Sequence, residues 1–382
     1  MNDAVRLFVG LAVVAAVAQP LSLRADDTTD LYFQEAMQRY FEYPQNARTF
    51  GMAGSSVPTS IDSSSVIGNP AGMGLMRDGE VSATYSYNRI SGDEFPTGVS
   101  VDQVENDGSA MFAMPLGPRH DSLAEFGNFG MAWAYRNGNW HDDTYDTDTE
   151  ATRVTAAYAY PLSSNLSVGY SLGWVDDRFQ SKAVFDYPMG NGFRHTLGAI
   201  MKEKDLIVGL SLIAGHGTHH ALYGPGTEVH SQTNAFGIDA GVEFAVAPQT
   251  KLAFAADYRH LSSDGGVESS IPQNVVGGAE NGNTFDARVG VEQTLNEEIK
   301  LRAGYRYAGL ARYKYNRVEL NDLNGSAYYN AFTLGAGYRF PFDSGYIRSL
   351  NLDYGVEYRV VGDNDWQHVV TLSIPFNACG VS

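Results

Sequence analysis

From residue 80 onward the chain alternates apolar and polar residues with a period of two. Val81, Ala83, Tyr85 and Tyr87 alternate with Glu80, Ser82, Thr84 and Ser86. Further on, Phe285, Ala287, Val289 and Val291 alternate with Thr284, Asp286, Arg288 and Gly290. Successive side chains of a β-strand point to opposite faces, so each stretch reads as a strand with one apolar and one polar face. Fourteen stretches follow the rule, near residues 80–90, 107–114, 127–136, 152–160, 166–175, 193–203, 206–214, 234–246, 251–261, 284–293, 299–308, 329–340, 349–360 and 367–376. The chain is expected to be all-β.

The connections alternate as well. Short turns such as Pro161–Asn165, Glu203–Asp205, Ala247–Thr250 and Leu295–Glu298 follow the even-numbered segments from the fourth to the twelfth. Long polar stretches follow the odd-numbered ones, from the first to the eleventh. Short turns at one end and long loops at the other, with an even strand number, are the pattern of an outer-membrane barrel.

Charge raises the question of which face lies inside. One face of each strand is Leu, Val, Phe, Tyr and Ala, while the other carries Arg153, Asp239, Glu243, Asp257, Arg259, Asp286, Arg288, Arg302, Arg306, Arg339, Asp353, Glu357 and Arg359. In a secreted sandwich the apolar face would be the core; in a membrane barrel it would meet lipid and the charges would line the lumen. Alternation alone does not separate the two. The loop asymmetry, the even count, an export signal and aromatic residues near strand ends favour the barrel. Tyr87, Tyr135, Tyr160, Trp174, Tyr258, Tyr307 and Phe340 would form its interfacial girdles.

The export signal is at the N-terminus. Arg6 precedes an apolar run from Leu7 to Ala18, and Leu23-Arg24-Ala25 ends in small residues before Asp26. Such a run is too short to span a bilayer, which takes about 20 residues, and residues 1–25 read as a secretory signal peptide. No later window approaches a transmembrane helix, so any membrane is entered as a barrel. An exported N-terminus and an even number of strands place both chain ends in the periplasm. The net charge of −18 offers no basic surplus for nucleic acid. The single cysteine, Cys379, excludes an internal disulfide framework and a cysteine-cluster metal site.

Residues 26–79 do not alternate. Asp30 is placed to cap a helix whose Phe33, Ala36, Met37, Tyr40 and Phe41 share a face, with Pro44 ending it. A small, glycine-rich and moderately apolar stretch follows. A segment of this length, joined directly to the first strand, is well placed to fold into the lumen; the alternative is a disordered periplasmic leader. A barrel of fourteen strands needs a filling or leaves a channel.

The stretch ARTFGMAGSSVPTSIDSSSVIGNPAGMGLM, residues 47–76, resembles the N-terminal signature of the FadL/TodX-type outer-membrane transporters of hydrophobic compounds. The resemblance implies a fourteen-stranded antiparallel transmembrane β-barrel at 80–376, plugged by an N-terminal hatch at 26–79, with a tail at 377–382. Asn69, Pro70 and Ala71, with Gly72, take the position of the family's hatch motif, and Gly51 and Gly54 match its upstream turn. Ser55-Ser56 stands where the signature carries small apolar residues. The family also implies a kink in the third strand that opens the wall sideways, which would fall at Gly127, Phe129 and Gly130. A branch of the same superfamily, the PorV-like proteins, shares the Asn-Pro-Ala-Gly motif and serves protein secretion and surface attachment.

The residues have their own physical reading. Asn69 precedes a proline and is held extended, Pro70 fixes φ, and Gly72 and Gly74 permit close packing. Met73, Leu75, Met76 and Phe50 offer adaptable apolar contacts, either to a hydrophobic ligand or to the barrel wall. Two loops invite metal binding and do not require it: the acidic run His141–Glu150 and the group His216, His219, His220 and His230. His120-Asp121-Ser122 is adjacent in sequence only, and no Gly-x-Ser-x-Gly elbow occurs. The expectation is therefore a monomeric, non-enzymatic outer-membrane channel without cofactor or metal. It would pass hydrophobic molecules such as long-chain fatty acids or aromatic hydrocarbons, in contact with lipid and lipopolysaccharide. The alternatives are a PorV-like secretion partner and a structural or adhesive barrel.

Overall fold

A computed structural model describes residues 41, 46–93, 100–117, 119–120, 123–124, 126–141, 146–181, 185–222, 228–266, 280–309, 328–342, 346–360 and 364–377. The signal segment, most of the helix read from Asp30, and the end of the tail lie outside them.

The strands are β1 (Gly79–Asp93), β2 (Ser100–Pro115), β3 (Arg119–His120), β4 (Leu123–Ala124), β5 (Asn128–His141), β6 (Asp146–Ser163), β7 (Leu166–Ser181), β8 (Phe185–Glu203), β9 (Leu206–Leu222), β10 (Glu228–Ala247), β11 (Thr250–Gly266), β12 (Glu280–Thr294), β13 (Ile299–Gly309), β14 (Tyr328–Pro341), β15 (Ser349–Val360) and β16 (Asn364–Phe376). All but β3 and β4 form one closed antiparallel barrel of fourteen strands in chain order, with β1 pairing both β2 and β16.

The strands place their apolar face outside. Leu334 is 62% exposed, and Tyr85, Trp133, Leu197 and Leu352 also face outward. On the opposite face Arg194, Arg359 and Glu292 are among the most deeply buried side chains. A water-soluble sandwich would show the reverse, because large apolar surface is excluded from water and isolated charge is excluded from a core. The inverted pattern is that of a barrel solvated by lipid. The seven aromatic residues expected in the girdles lie on the outward-facing positions of their strands.

Buried charge needs a partner, and the lumen supplies it. Arg302 bonds Glu292 at 2.8 Å and Asp353 at 2.6 Å. Arg136 reaches Asp107 at 2.8 Å, Arg259 reaches Asp257 at 2.9 Å, and Arg306 reaches Asp286 at 3.0 Å. Arg288 pairs with Asp257, and Arg359 with Glu357.

One expectation about the connections is corrected. Much of the long polar connection after several odd-numbered segments is strand. The ladders run out to Asp93↔Ser100, His141↔Asp146, Ser181↔Phe185 and Leu222↔Glu228. Beyond the lipid neither face has to be apolar, so the alternation disappears while the backbone goes on pairing. The connection after the second barrel strand contains the small hairpin β3–β4, where Arg119 pairs with Ala124. Two residues per strand are too few to carry a periodic signal.

The barrel closes where β16 meets β1. Phe376 pairs with Gly79, and its ring stacks on Phe112 with centroids 6.1 Å apart. Beyond it Asn377 donates its amide to the Tyr346 carbonyl at 2.8 Å.

Candidate functional site: the luminal plug

Between Asn46 and Met76 the chain crosses the lumen in four short turns: α1 (Ala47–Phe50) and 3-10 turns at Val57–Thr59, Ser63–Val66 and Pro70–Leu75. None is long enough to be stable alone, and three are held by an Asn or Asp cap. Asn46 Oδ1 accepts from the Thr49 amide at 2.8 Å. Asp62 Oδ1 accepts from Ser64 at 2.9 Å, within a capping box completed by Ser65. Asn69 Oδ1 accepts from Ala71 at 3.2 Å, and Pro70 follows at the first turn position, where its missing N–H costs nothing. The reversal between the first and second turns runs through Ala53 at φ 56° and Gly54 at φ 74°, a left-handed step that favours the glycine.

The plug sits against glycine. Four cross-strand glycine pairs of the described residues lie against the plug: Gly169↔Gly198, Gly209↔Gly241, Gly290↔Gly304 and Gly335↔Gly355. A Cβ on Gly169 would lie 2.5 Å from the Pro70 carbonyl carbon, and one on Gly304 would lie 2.6 Å from that of Met52. Those distances leave no room for a methyl group. Plug backbone therefore lies flush against wall backbone on β7 to β10 and β12 to β15.

Polar bonds fix the plug to the wall on several strands. Asn69 Nδ2 donates to Pro58 O at 2.8 Å within the plug and to Ala199 O at 3.2 Å in β8. Asn128 Nδ2 donates to Met73 O at 2.6 Å, Arg194 to Ile67 O at 3.0 Å, and Arg288 to Gly54 O at 3.2 Å. Thr333 donates to Gly51 O at 3.0 Å, and the Ala47 amide donates to Thr371 at 2.7 Å. Ser63 donates its amide to Glu80 at 3.1 Å and its hydroxyl at 2.7 Å.

The two ends of the plug are seated differently. Arg48 lies between Glu292 at 3.2 Å, Asp62 at 3.7 Å and Glu243 at 3.9 Å. Glu292 most of all, then Glu243 and Asp62, hold its guanidinium well above the usual arginine range against the opposing cost of burial. Its charge is permanent. The far end is greased: Val66, Ile67, Met73 and Met76 pack on Met111, Ala113, Ala132, Ala157 and Ala159. Arg194 and Asn128 hold the backbone of this end at Ile67 O and Met73 O.

The structure brings most of the residues singled out in the sequence into this one body. Asn69, Pro70, Ala71, Gly72, Gly51 and Gly54 are buried in the plug. Gly51 lies against Gly335, and a Cβ on Gly72 would meet Ser60 O inside the plug. Met73 and Met76 are in the greased cluster, Leu75 packs on Ala71, Ile200 and Ile207, and Phe50 packs on Ala47 and Val369. Phe41 is also buried, with Arg259 5.7 Å above its ring.

Gly127, Phe129 and Gly130, expected at a sideways opening of the wall, lie at the start of β5. Both ladders of β5 run from Asn128 to His141 without a register shift. Gly127 has φ +72° just before the strand and serves the turn, while Phe129 faces outward, half-buried. A Cβ on Gly130 would lie 2.5 Å from Val66 Cγ2 and 2.6 Å from the Met73 sulfur. Its glycine is explained by the plug.

Sequence reasoning missed the other wall glycines and the anchors Arg48, Glu292, Asn128 and Thr333. Their signal was available: the wall glycines all occupy inward positions of their strands. Asp121 and Ser122, residues 142–145, and the side chains of His219, His220 and His230 lie outside the described residues. Among the described residues no group of three or more His, Cys, Asp or Glu is arranged to hold a metal ion.

Residues 124–340 match the family model described as outer membrane protein beta-barrel domain. The fold superposes on a Pseudomonas aeruginosa FadL homologue with a TM-score of 0.61 and 13% identity, over 87% of this chain and 98% of that one. It superposes on the Ralstonia pickettii toluene transporter TbuX with a TM-score of 0.59 and 12% identity, over 87% and 97%. For the Pseudomonas putida toluene transporter TodX the values are 0.58, 14%, 89% and 100%. At such identities the likeness is one of fold. A search of curated proteins gives no match.

Proposed function

The chain belongs to the outer-membrane protein β-barrel family, and from that premise we propose that it is a passive channel for hydrophobic small molecules, closed by its N-terminal plug. The observation that carries the reading is the unequal seating of that plug. Residues 47–62 are held by Arg48 and its carboxylates, whereas Val66, Ile67, Met73 and Met76 rest on an alanine and methionine surface. Apolar contacts are non-directional and can be exchanged for contacts with an apolar ligand at small cost, so displacement of this half is resisted mainly by four hydrogen bonds, joining Ser63 to Glu80, Asn69 to Ala199 O, Arg194 to Ile67 O and Asn128 to Met73 O. A ligand entering beside β2, β5 and β6 displaces the 63–76 half while the 47–62 half stays pinned.

Gating residues in this reading are Asn69, Pro70, Ala71 and Gly72, with Gly51 and Gly54 in the pinned half. Ligand contacts are Met73, Leu75, Met76 and Phe50. The short turns and both chain ends face the periplasm, and the strand extensions face outward. Long-chain fatty acids and aromatic hydrocarbons fit the apolar seam; no cofactor or energy source is required. The proposal assigns no catalytic role to the plug or the lumen.

A disulfide between plug and wall tests the gate. A Cβ on Gly74 lies 2.9 Å from the Ser167 Cβ, close enough for cysteines to bond after small adjustment. Gly74→Cys with Ser167→Cys, in a Cys379→Ala background, is expected to block uptake of a radiolabelled hydrocarbon into proteoliposomes when oxidised and to restore it when reduced. Equal uptake in both states sinks the moving plug. Purification with a stoichiometric protein and no lipid or hydrocarbon would favour the secretion partner instead.

A further inference from the structure

The inward row next to the glycine seat, two residues along each strand and away from the short turns, differs between the two halves of the barrel. On β12 and β14 that row holds Arg288 and Thr333, which donate to the plug at Gly54 O, 3.2 Å, and Gly51 O, 3.0 Å. On β7 to β10 it holds Ser171, Thr196, Ser211 and Asp239, beside Gly169, Gly198, Gly209 and Gly241. These four are at most 7% exposed, and Ser171 Oγ, Thr196 Oγ1, Ser211 Oγ and Asp239 Oδ1 make no hydrogen bond. A buried polar atom without a partner is costly, and native folds keep few of them. Four in one row mark a stretch of wall where hydrogen bonds are left to be made.

The row is contiguous. Ser171 pairs with Thr196, and Ser211 with Asp239, directly across their ladders. Thr196 and Ser211 are diagonal neighbours, because Ser211 pairs with Gly198. The row begins where the greased surface ends. Ser171 pairs with Ala157 of that cluster, and Thr155 Oγ1, two residues beyond Ala157, is a fifth buried atom without a bond. The plug passes over it: Thr196 lies between Gly198, which abuts Asn69 and Pro70, and Arg194, which donates to Ile67 O. Asp239 lies between Gly241, against Pro58, and Gly237, against Phe41. Movement of residues 63–76 therefore uncovers this stretch of wall.

We propose that this row is a subsite for the hydroxyl group of an otherwise apolar molecule, an alcohol or a phenol; the proposal rests on the channel reading above. The atoms left over select the class. Hydroxyls donate and accept, and a carboxyl oxygen accepts, so an O–H group in the row donates to Asp239 while accepting from Ser211. A hydrocarbon does neither and leaves every orphan atom unpaired. A carboxylate has no proton to give and would meet Asp239 and its register partner Asp257. Arg194, next on β8, is committed to Ile67 O, and Arg288 to Gly54 O and Asp257. The apolar body of the molecule rests on the alanine and methionine surface beside Ser171.

Equilibrium dialysis of naphthalene, naphthol and naphthoate against the full barrel in detergent, with empty micelles as reference, tests the subsite. The wild type is expected to hold naphthol about tenfold more tightly than naphthalene, the scale of one or two net hydrogen bonds, and naphthoate no more tightly than naphthalene. Ser171→Ala with Thr196→Val and Ser211→Ala is expected to bring the ratio of naphthol to naphthalene affinity close to one. The hydroxyls removed make no bond in the protein, so this variant should assemble as the wild type does. If it does not, Ser211→Ala decides alone and is expected to lower the ratio about threefold. A ratio near one in the wild type, a ratio untouched in the variants, or naphthoate bound tightest overturns the subsite. Naphthalene uptake through the Gly74→Cys, Ser167→Cys barrel separates the two readings. Uptake blocked by oxidation with a wild-type ratio near one sinks the subsite alone, whereas uptake indifferent to oxidation sinks the channel and the subsite with it.

Discussion

Asn69 holds Ala199 from across the lumen: its carboxamide donates to the wall carbonyl at 3.2 Å while donating to Pro58 O at 2.8 Å. One side chain thus ties the fourth turn of the plug to the second and both to β8. Asn69→Ala leaves two buried carbonyls without that donor and removes the cap of Pro70–Leu75. The expected cost is about 1–3 kcal/mol, borne by the plug. Hydrogen exchange should quicken for amides 63–76 and stay slow in the strands; unchanged plug protection contradicts the assignment.

Gly169→Val puts side-chain atoms where the Pro70 carbonyl carbon now lies, 2.5 Å from an ideal Cβ. Strand backbone tolerates valine well, so the barrel should assemble and the plug should be displaced, at about 1–3 kcal/mol. Planar-bilayer recordings are expected to show ion conductance above that of the wild type. A closed channel of normal stability would mean that the glycine seat is not required.

Arg48 and Arg302 both bond Glu292, at 3.2 and 2.8 Å, yet their loss should differ. Arg302 is a wall residue nearly closed to solvent that also holds Asp353; Arg302→Met takes the arginine from Asp353, leaves Glu292 to Arg48 and Lys300, and is expected to cost about 3–5 kcal/mol of barrel stability. Arg48 is a quarter exposed and leaves Glu292 with Arg302, so Arg48→Met should cost about 1–3 kcal/mol and loosen only the plug. Temperature series of heat-modified gel mobility read the barrel, and limited proteolysis reads the plug. Equal losses of barrel stability argue against the division.

Leu334→Arg tests which solvent surrounds the barrel. Leu334 is 62% exposed and outward-facing near the middle of β14. On a water-soluble sandwich the change is near neutral; in lipid, arginine near the midplane costs about 2–4 kcal/mol. Urea titration in phospholipid vesicles, against Leu334→Ala, measures the difference. Indifference to the arginine would contradict lipid exposure.

How much of this was legible before the structure depended on what each region must satisfy. Inside the lipid band one face must be apolar, so Leu350, Leu352 and Tyr354 announce their strand and its faces. Above the band nothing enforces alternation, and the extension Ser100–Asn106 of β2 was read as loop. The hatch motif located the plug, because Asn69 and Pro70 restrict backbone locally. Its seat was not legible, because Gly290 facing Gly304 depends on register between strands, and register is a property of the assembled sheet. The same gap hid the contact of Gly130 with Met73 and Val66, which depends on where the plug sits.

The strand that follows the plug is also the strand that closes the barrel. Only Arg77 and Asp78 separate Met76 from β1, and β1 pairs with β16 from Gly79↔Phe376 to Ser91↔Asn364. The segment that fills the lumen is thus tied by two residues to the seam that closes the wall around it, while its seat is spread over strands that come later in the chain.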